Sequence, residues 1–199
     1  MFEKIKESKE EIKKQFNILG NEKIIFFGAQ DLREWRKGVK NFMNVISLLS
    51  ELHIKNQDIN LKIICIGKDS HKIFGKSSEK ILVYEKISHT ELLKIYKISD
   101  LIIVPSLQEW SSLMMSEAVS LNKPVFAFKT GSSEDLIHNN LNGLIFDDFD
   151  YNNIALNITY YLRKNRFMNQ IDFDKDYQIN NKISLKFIEK QLIERVFND

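Results

Sequence analysis

Pro105-Ser-Leu-Gln-Glu-Trp-Ser-Ser-Leu-Met-Met-Ser-Glu-Ala-Val-Ser-Leu-Asn-Lys-Pro124 decides how this chain is read. The apolar run Leu101–Val104 precedes it and the run Val125–Phe128 follows it. Short apolar runs bounded by Pro or Gly are the pattern of parallel strands buried on both faces. Between them Leu113, Met114, Ala118 and Leu121 fall on one side of a helix. The unit is therefore strand, turn, helix, strand, with Glu109 on the turn and Glu117 inside the helix. Ser111 and Ser112 are small enough to let a ligand approach the backbone where the helix begins. The first N–H groups of a helix lack intrahelical acceptors and favour phosphate. Two carboxylates beside them can accept hydrogen bonds from sugar hydroxyls. The combination points to a nucleotide-sugar site.

The alternation continues in both directions. Strands are expected at Lys23–Phe27, Leu61–Ile66, Ile81–Tyr84 and Leu144–Phe146 besides the two runs above. Residues 2–16 read as a charged helix ending near Gly20 as its C-cap. Val39, Phe42, Met43, Ile46, Leu49 and Leu52 repeat at helical spacing. Ser88-His-Thr-Glu91 is a capping box for a helix continued by Leu92, Leu93, Ile95, Tyr96 and Ile98. Ile154, Ile158, Tyr161 and Leu162 mark a later helix. Such alternation predicts an α/β domain over residues 1–165, a Rossmann-like parallel sheet of about six strands flanked by helices. Residues 166–199 read as an appendage, its amphipathic helix marked by Leu185, Ile188, Leu192, Ile193 and Val196.

Composition removes several function classes. With 29 basic and 27 acidic residues in 199, the formal net charge of +2 gives no case for nucleic acid. The single cysteine, Cys65, sits in an apolar strand run, and one cysteine forms no internal disulfide. No apolar run reaches the ~18 residues of a membrane span. The charged N-terminus lacks a signal-peptide core. The expectation is a soluble cytoplasmic protein, at most peripheral at the inner face of the membrane.

In an open α/β sheet, ligands bind at the carboxyl ends of the strands. Those ends hold Gly28 with Arg33, Arg36 and Lys37 before a helix, then Gly67-Lys-Asp-Ser70, then Glu109 to Ser112, then Lys129-Thr-Gly-Ser-Ser-Glu-Asp135. Two readings stand: a diphosphate cradle, or loops in which Lys and Arg are simply common. Gly-x-Gly-x-x-Gly and Walker loops are missing, which argues against dinucleotide dehydrogenases and ATPases. His53, His71, His89 and His138 show no metal-ligand spacing, so no metal site is expected.

Taken together, the motifs resemble retaining glycosyltransferases of the GT-B type, the group 1 family that includes bacterial lipopolysaccharide and capsule enzymes. The resemblance rests on Glu109-x7-Glu117-Ala118 followed by Ser120-Leu-Asn-Lys-Pro-Val125. Gly131-Ser-Ser-Glu-Asp-Leu-Ile-His-Asn-Asn-Leu-Asn-Gly143 resembles the family's next motif, and Arg36-Lys-Gly38 its phosphate-binding Lys-Gly motif. It covers roughly residues 10–165 and implies the C-terminal, donor-binding half of a GT-B fold. Three positions depart from the family. Trp110-Ser-Ser112 stands where Gly-Phe-Gly is usual, Asn122 replaces a common Gly, and Ala29 stands where a basic residue often follows the first-strand Gly.

The resemblance implies transfer of a hexose from a UDP- or GDP-linked sugar to a glycan or lipid-linked acceptor, with retention and without a cofactor or bound metal. Glu109, with Lys37, Arg36 and Arg33, would be catalytic; either arginine could be the phosphate contact. Glu117 would accept hydrogen bonds from both ribose hydroxyls, with Ser112, Leu113, Gly28 and Gly67 around the nucleotide. From the residues alone, Glu117 reads as a helix residue paired with a nearby Lys. Eight residues from Glu109 to Glu117 span ~12 Å if helical throughout. The acceptor-binding half would lie outside this chain. Two other readings remain: a nucleotide-sugar binding module or subunit needing a partner chain, and a sugar-nucleotide epimerase of similar fold.

Overall fold

A computed structural model describes residues 5–56, 59–147 and 150–167. Six parallel strands form one sheet in the order β3-β2-β1-β4-β5-β6. They are β1 Lys23–Asp31, β2 Leu61–Lys68, β3 Ile81–Tyr84, β4 Leu101–Val104, β5 Val125–Phe128 and β6 Gly143–Phe146. The expected α/β class and strand count are therefore observed. The order reverses between β1 and β4, which lie side by side although β2 and β3 come between them in sequence. That reversal opens a crevice above the carboxyl ends of the two strands.

Two apolar layers hold the sheet. Ile24, Phe26, Ile64, Ile102, Val104, Val125 and Ala127 face α1 (Lys9–Gln15), α4 (His89–Ile98) and α5 (Leu113–Ser120). The alternate residues Ile25, Phe27, Ile63, Cys65, Ile103, Phe126 and Phe128 face α2 (Val39–Asn56) and α7 (Tyr151–Lys164). Period-two alternation with both faces apolar makes each strand a continuous apolar run. Full burial of one such side chain stabilises by about 1.5–3 kcal/mol, so neither layer is dispensable. Cys65 is fully buried in β2, and burial pushes its thiol well above the usual range, as a structural cysteine requires.

Several expected boundaries shift. The first helix begins at Lys9, because Ser8 and Glu11 form a capping box there. It ends before Gly20: Asn17 adopts φ 54, and Ile18 and Asn17 donate to the carbonyls of Lys13 and Lys14 at 2.9 and 3.1 Å. That is the Schellman pattern, with Asn in the place of Gly. The expected box at Ser88 and Glu91 is present at the start of α4. In α5, Met115 occupies the core and Leu113 is 77% exposed, so the apolar face is rotated from the expected one. The short helices α3 (Ser70–Phe74) and α6 (Ser133–Leu136) complete the alternation. The expected C-terminal helix lies outside the described residues.

Candidate functional site

A cleft of about 700 Å³ lies over the β1/β4 reversal. Gly28 to Gln30 line it from β1, Ile66 to Lys68 from β2, and Glu85 to Ile87 from the end of β3. The β4–α5 turn supplies Pro105, Ser106, Glu109, Ser111 and Ser112, and α5 adds Leu113, Met114 and Glu117. Phe26, Leu92 and Tyr96 form part of its apolar wall.

Lys37 reaches the cleft through a local device. Trp35–Lys37 is one turn of 3-10 helix closed by Gly38 at φ 69. A Cβ at Gly38 would lie 1.7 Å from the Pro105 carbonyl oxygen, so only glycine lets this turn dock on the end of β4. The Leu107 N–H donates to the Arg36 carbonyl at 2.7 Å and fixes the two turns together. The Lys37 ammonium then donates to Glu109 Oε2 at 2.5 Å, and Arg36 Nη1 lies 3.6 Å from Glu109 Oε1. Glu109's side chain is only 9% exposed, so one carboxylate is held between two cations. Arg36 also pairs with Glu34.

Arg33 is not brought into this group. Its guanidinium hydrogen-bonds Asp31 at 2.7 and 3.1 Å and lies 2.9 Å from Asp69, outside the cleft lining. That hydrogen bonding holds the Asp31 carboxyl well below its usual range. Of the two candidate arginines, Arg36 is the one at Glu109.

Ser112 is the N-cap of α5, its Oγ accepting from the Met115 N–H at 3.3 Å. The Ser112 N–H donates to Ser132 Oγ at 3.4 Å. Among the described residues the N–H groups of Leu113 and Met114 have no acceptor, and both residues line the cleft. They are the free donors of a helix start, open to an anion. Ser112 has φ −92, and Trp110-Ser-Ser112 needs no left-handed backbone, so Ser in place of Gly is unstrained there. Asn122 does adopt the left-handed region at φ 52, which Asn tolerates.

Glu117 faces the same cleft one turn into α5. Among the described residues it pairs with no lysine; instead the Tyr96 hydroxyl donates to its Oε2 at 2.9 Å. Since α5 begins only at Leu113, the separation of Glu109 and Glu117 is not that of a continuous helix. Gly67 closes the floor at φ 152, where a Cβ would lie 2.1 Å from the Ala29 carbonyl oxygen. It lets β2 pass the register shift of β1 between Gly28 and Asp31.

The Gly/Ser turn after β5 does not line the cleft. Its Lys129 pairs with Glu134 at 3.1 Å and Asp147 at 3.5 Å. Conversely, Glu85, Lys86 and Tyr96 line the cleft without having been singled out as site residues. The end of β3 was legible by the same strand-end rule as the others; the position of Tyr96 depended on the rotation of α4 against α5. Among the described residues no group of three or more His, Cys, Asp or Glu could hold a metal. No helix of the described residues is long and apolar enough to cross a membrane.

Known proteins share this fold. A curated relative, the uncharacterized glycosyltransferase MJ1607 of Methanocaldococcus jannaschii, is 21% identical over 145 residues, 69% of this chain and 35% of its own length. WaaG, a glycosyltransferase involved in lipopolysaccharide biosynthesis, superposes with a TM-score of 0.63 at 15% identity, over 81% of this chain and 43% of its own. The C-terminal domain of the group 1 glycosyl transferase LpcC from Francisella tularensis gives 0.61 at 18% identity, over 80% of this chain and 84% of that domain. Anabaena Alr3699/HepE, in complex with UDP and glucose, gives 0.60 at 14% identity, over 79% and 43%. At these identities the structures establish a shared fold, that of the C-terminal half of GT-B enzymes. The chain spans about a third of the curated relative and less than half of the WaaG and HepE chains. The sequence pattern named glycosyl transferases group 1 matches residues 8–176, which hold all six strands and every described helix, and this chain belongs to that family.

Proposed function

We propose that the cleft binds a nucleoside diphosphate sugar and that the chain is the donor half of a retaining hexosyltransferase. The observation that carries the reading is one cleft holding the Lys37–Glu109 pair, the open N–H groups of Leu113 and Met114, and the Glu117 carboxylate. The diphosphate would lie between Lys37 and those N–H groups, the sugar hydroxyls at Glu109 and the ribose hydroxyls at Glu117. Lys37 has three donors and Glu109 two acceptor oxygens, so both can engage the donor while they stay paired.

In the reaction the bond between the anomeric carbon and the leaving phosphate oxygen breaks. The acceptor hydroxyl attacks from the same face, and its proton passes to the leaving diphosphate. Charge builds on the diphosphate as the sugar becomes oxocarbenium-like. Lys37 and the start of α5 would meet that charge, with Arg36 behind them at Glu109, and one preorganised donor of this kind can contribute about 2.7–4 kcal/mol. A glycan or lipid-linked acceptor would be held by a further domain, at the cytoplasmic side. Calorimetric titration of UDP and GDP into the chain and into Glu117→Ala tests the reading. Equal binding of either nucleotide by both proteins contradicts it.

A second reading, a module that binds the donor without turnover, draws support from the open rim. Trp110 and Leu113 are 96% and 77% exposed there, which leaves a bound donor wet and the charge stabilisation weaker. Transfer from labelled donors at ordinary enzymatic rates, ~1 per second, by this chain alone would exclude it.

A further inference from the structure

Tyr96 of α4 is 1% exposed, its ring packed edge-on against Phe26 at 5.2 Å between centroids. A buried phenol destabilises the fold unless its O–H finds an acceptor. Here the O–H donates to Glu117 Oε2 at 2.9 Å, with the Met114 carbonyl as a longer alternative at 3.4 Å. Burial, reinforced by the neighbouring carboxylate, raises the phenol well above its usual range, so it keeps its proton and remains a donor. The Glu117 carboxylate has no other hydrogen-bond or ion-pair partner among the described residues. One of its oxygens is thus held from inside the protein and the other is left for a ligand. A glutamate held this way has lost side-chain freedom before binding, and ordering it on binding costs correspondingly less.

We propose that Tyr96 is a positioning residue for ribose recognition: by fixing one oxygen of Glu117 it presents the carboxylate to the two ribose hydroxyls. This rests on the ribose role given to Glu117 above. A residue that only filled the core would affect every ligand of the cleft alike. A residue that aims Glu117 affects only ligands that carry the hydroxyls.

The test is Tyr96→Phe, which removes one oxygen and keeps the ring against Phe26. Dissociation constants for UDP and 2′,3′-dideoxy-UDP are measured for the unmutated chain, Tyr96→Phe, Glu117→Ala and the double variant, with GDP and its dideoxy analogue as a second pair. The expected result is about tenfold weaker UDP binding in Tyr96→Phe, the range of a hydrogen bond to a charged group, with dideoxy-UDP unchanged. In the Glu117→Ala background the Tyr96→Phe change should have no effect. An unchanged ratio of UDP to dideoxy-UDP affinity, or equal losses for both, overturns the positioning role. Equal binding of UDP and dideoxy-UDP by the unmutated chain is a different failure: it overturns the ribose role of Glu117 itself. Failure of both UDP and GDP to bind overturns the nucleotide reading beneath both.

Discussion

The turn from β4 into α5 and the turn from β5 into α6 are both Ser-rich strand-to-helix turns, yet only the first lines the cleft. The difference is one of place. β4 lies beside β1 where the strand order reverses, whereas β5 is one strand further out. The first turn opens an eight-residue helix and the second a four-residue one, so the aligned peptide dipoles are longer at the first. The second turn acts as a buttress. Its Ser132 accepts the Ser112 N–H, and a Cβ on Gly131 would lie 3.2 Å from the Glu109 carbonyl oxygen. Local sequence makes a strand-to-helix turn; sheet topology decides which such turn faces the cleft.

Alanine at the two glycines packed on the first turn separates docking from buttressing. Gly38→Ala should cost about 3 kcal/mol, since its Cβ meets backbone at 1.7 Å and its φ is 69. Gly131→Ala requires only a small shift and should cost about 0.5 kcal/mol or less. Urea denaturation measures both, and equal losses would break the distinction.

Lysines on the two turns should differ as sharply in binding. Lys37→Ala should weaken UDP about 10- to 100-fold, as for a charged hydrogen bond, while leaving uridine nearly unchanged. Lys129→Ala should leave UDP within twofold, its partners being Glu134 and Asp147 outside the cleft. Raising the salt should shrink the Lys37 loss. Calorimetry at two ionic strengths reads all of this, and comparable losses from the two lysines would contradict the assignment.

The far end of α5 gives a smaller, pH-dependent contrast. Lys123 donates to the carbonyls of Lys97 and Ser99 at 2.8 and 2.9 Å, and burial lowers its pKa from 10.5 to about 8. The folded chain thus holds this proton less tightly than the unfolded chain. Between about pH 8 and pH 10.5 the unfolded state binds more protons, so Lys123's contribution to stability improves as the pH rises. The stability of the unmutated chain relative to Lys123→Met should rise by about 2 kcal/mol from pH 8 to pH 10. A flat difference would show that burial does not perturb this lysine. Ser132→Ala, the smallest change, should weaken UDP by no more than about threefold through the 3.4 Å bond it removes.

The strands of this fold are legible because each apolar run is bounded by polar or turn-forming residues, and all six expected runs lie within observed strands. Helix ends were harder. The first helix was read through to Gly20, but Asn17 can take the left-handed conformation that ends a helix, and it does so here. The facing of α5 differs from the expected one because Leu113, Met114 and Met115 are adjacent apolar residues whose phase only packing decides. At the site, the family resemblance singles out Glu109, Lys37 and Glu117, and the fold brings the three to one cleft. Arg33 was drawn in by nearness in sequence, whereas Asp31 and Asp69, the latter on another loop, hold it away. Tyr96 lies 21 residues from Glu117, and no local pattern announces a contact between two helices.

A crystal structure of the chain with UDP tests the central claim most directly. The account predicts the ribose hydroxyls within hydrogen-bond distance of Glu117, and the diphosphate against the Leu113 and Met114 N–H groups and Lys37. UDP seated at the β5–α6 turn, or in the cleft with its ribose away from Glu117, would contradict it.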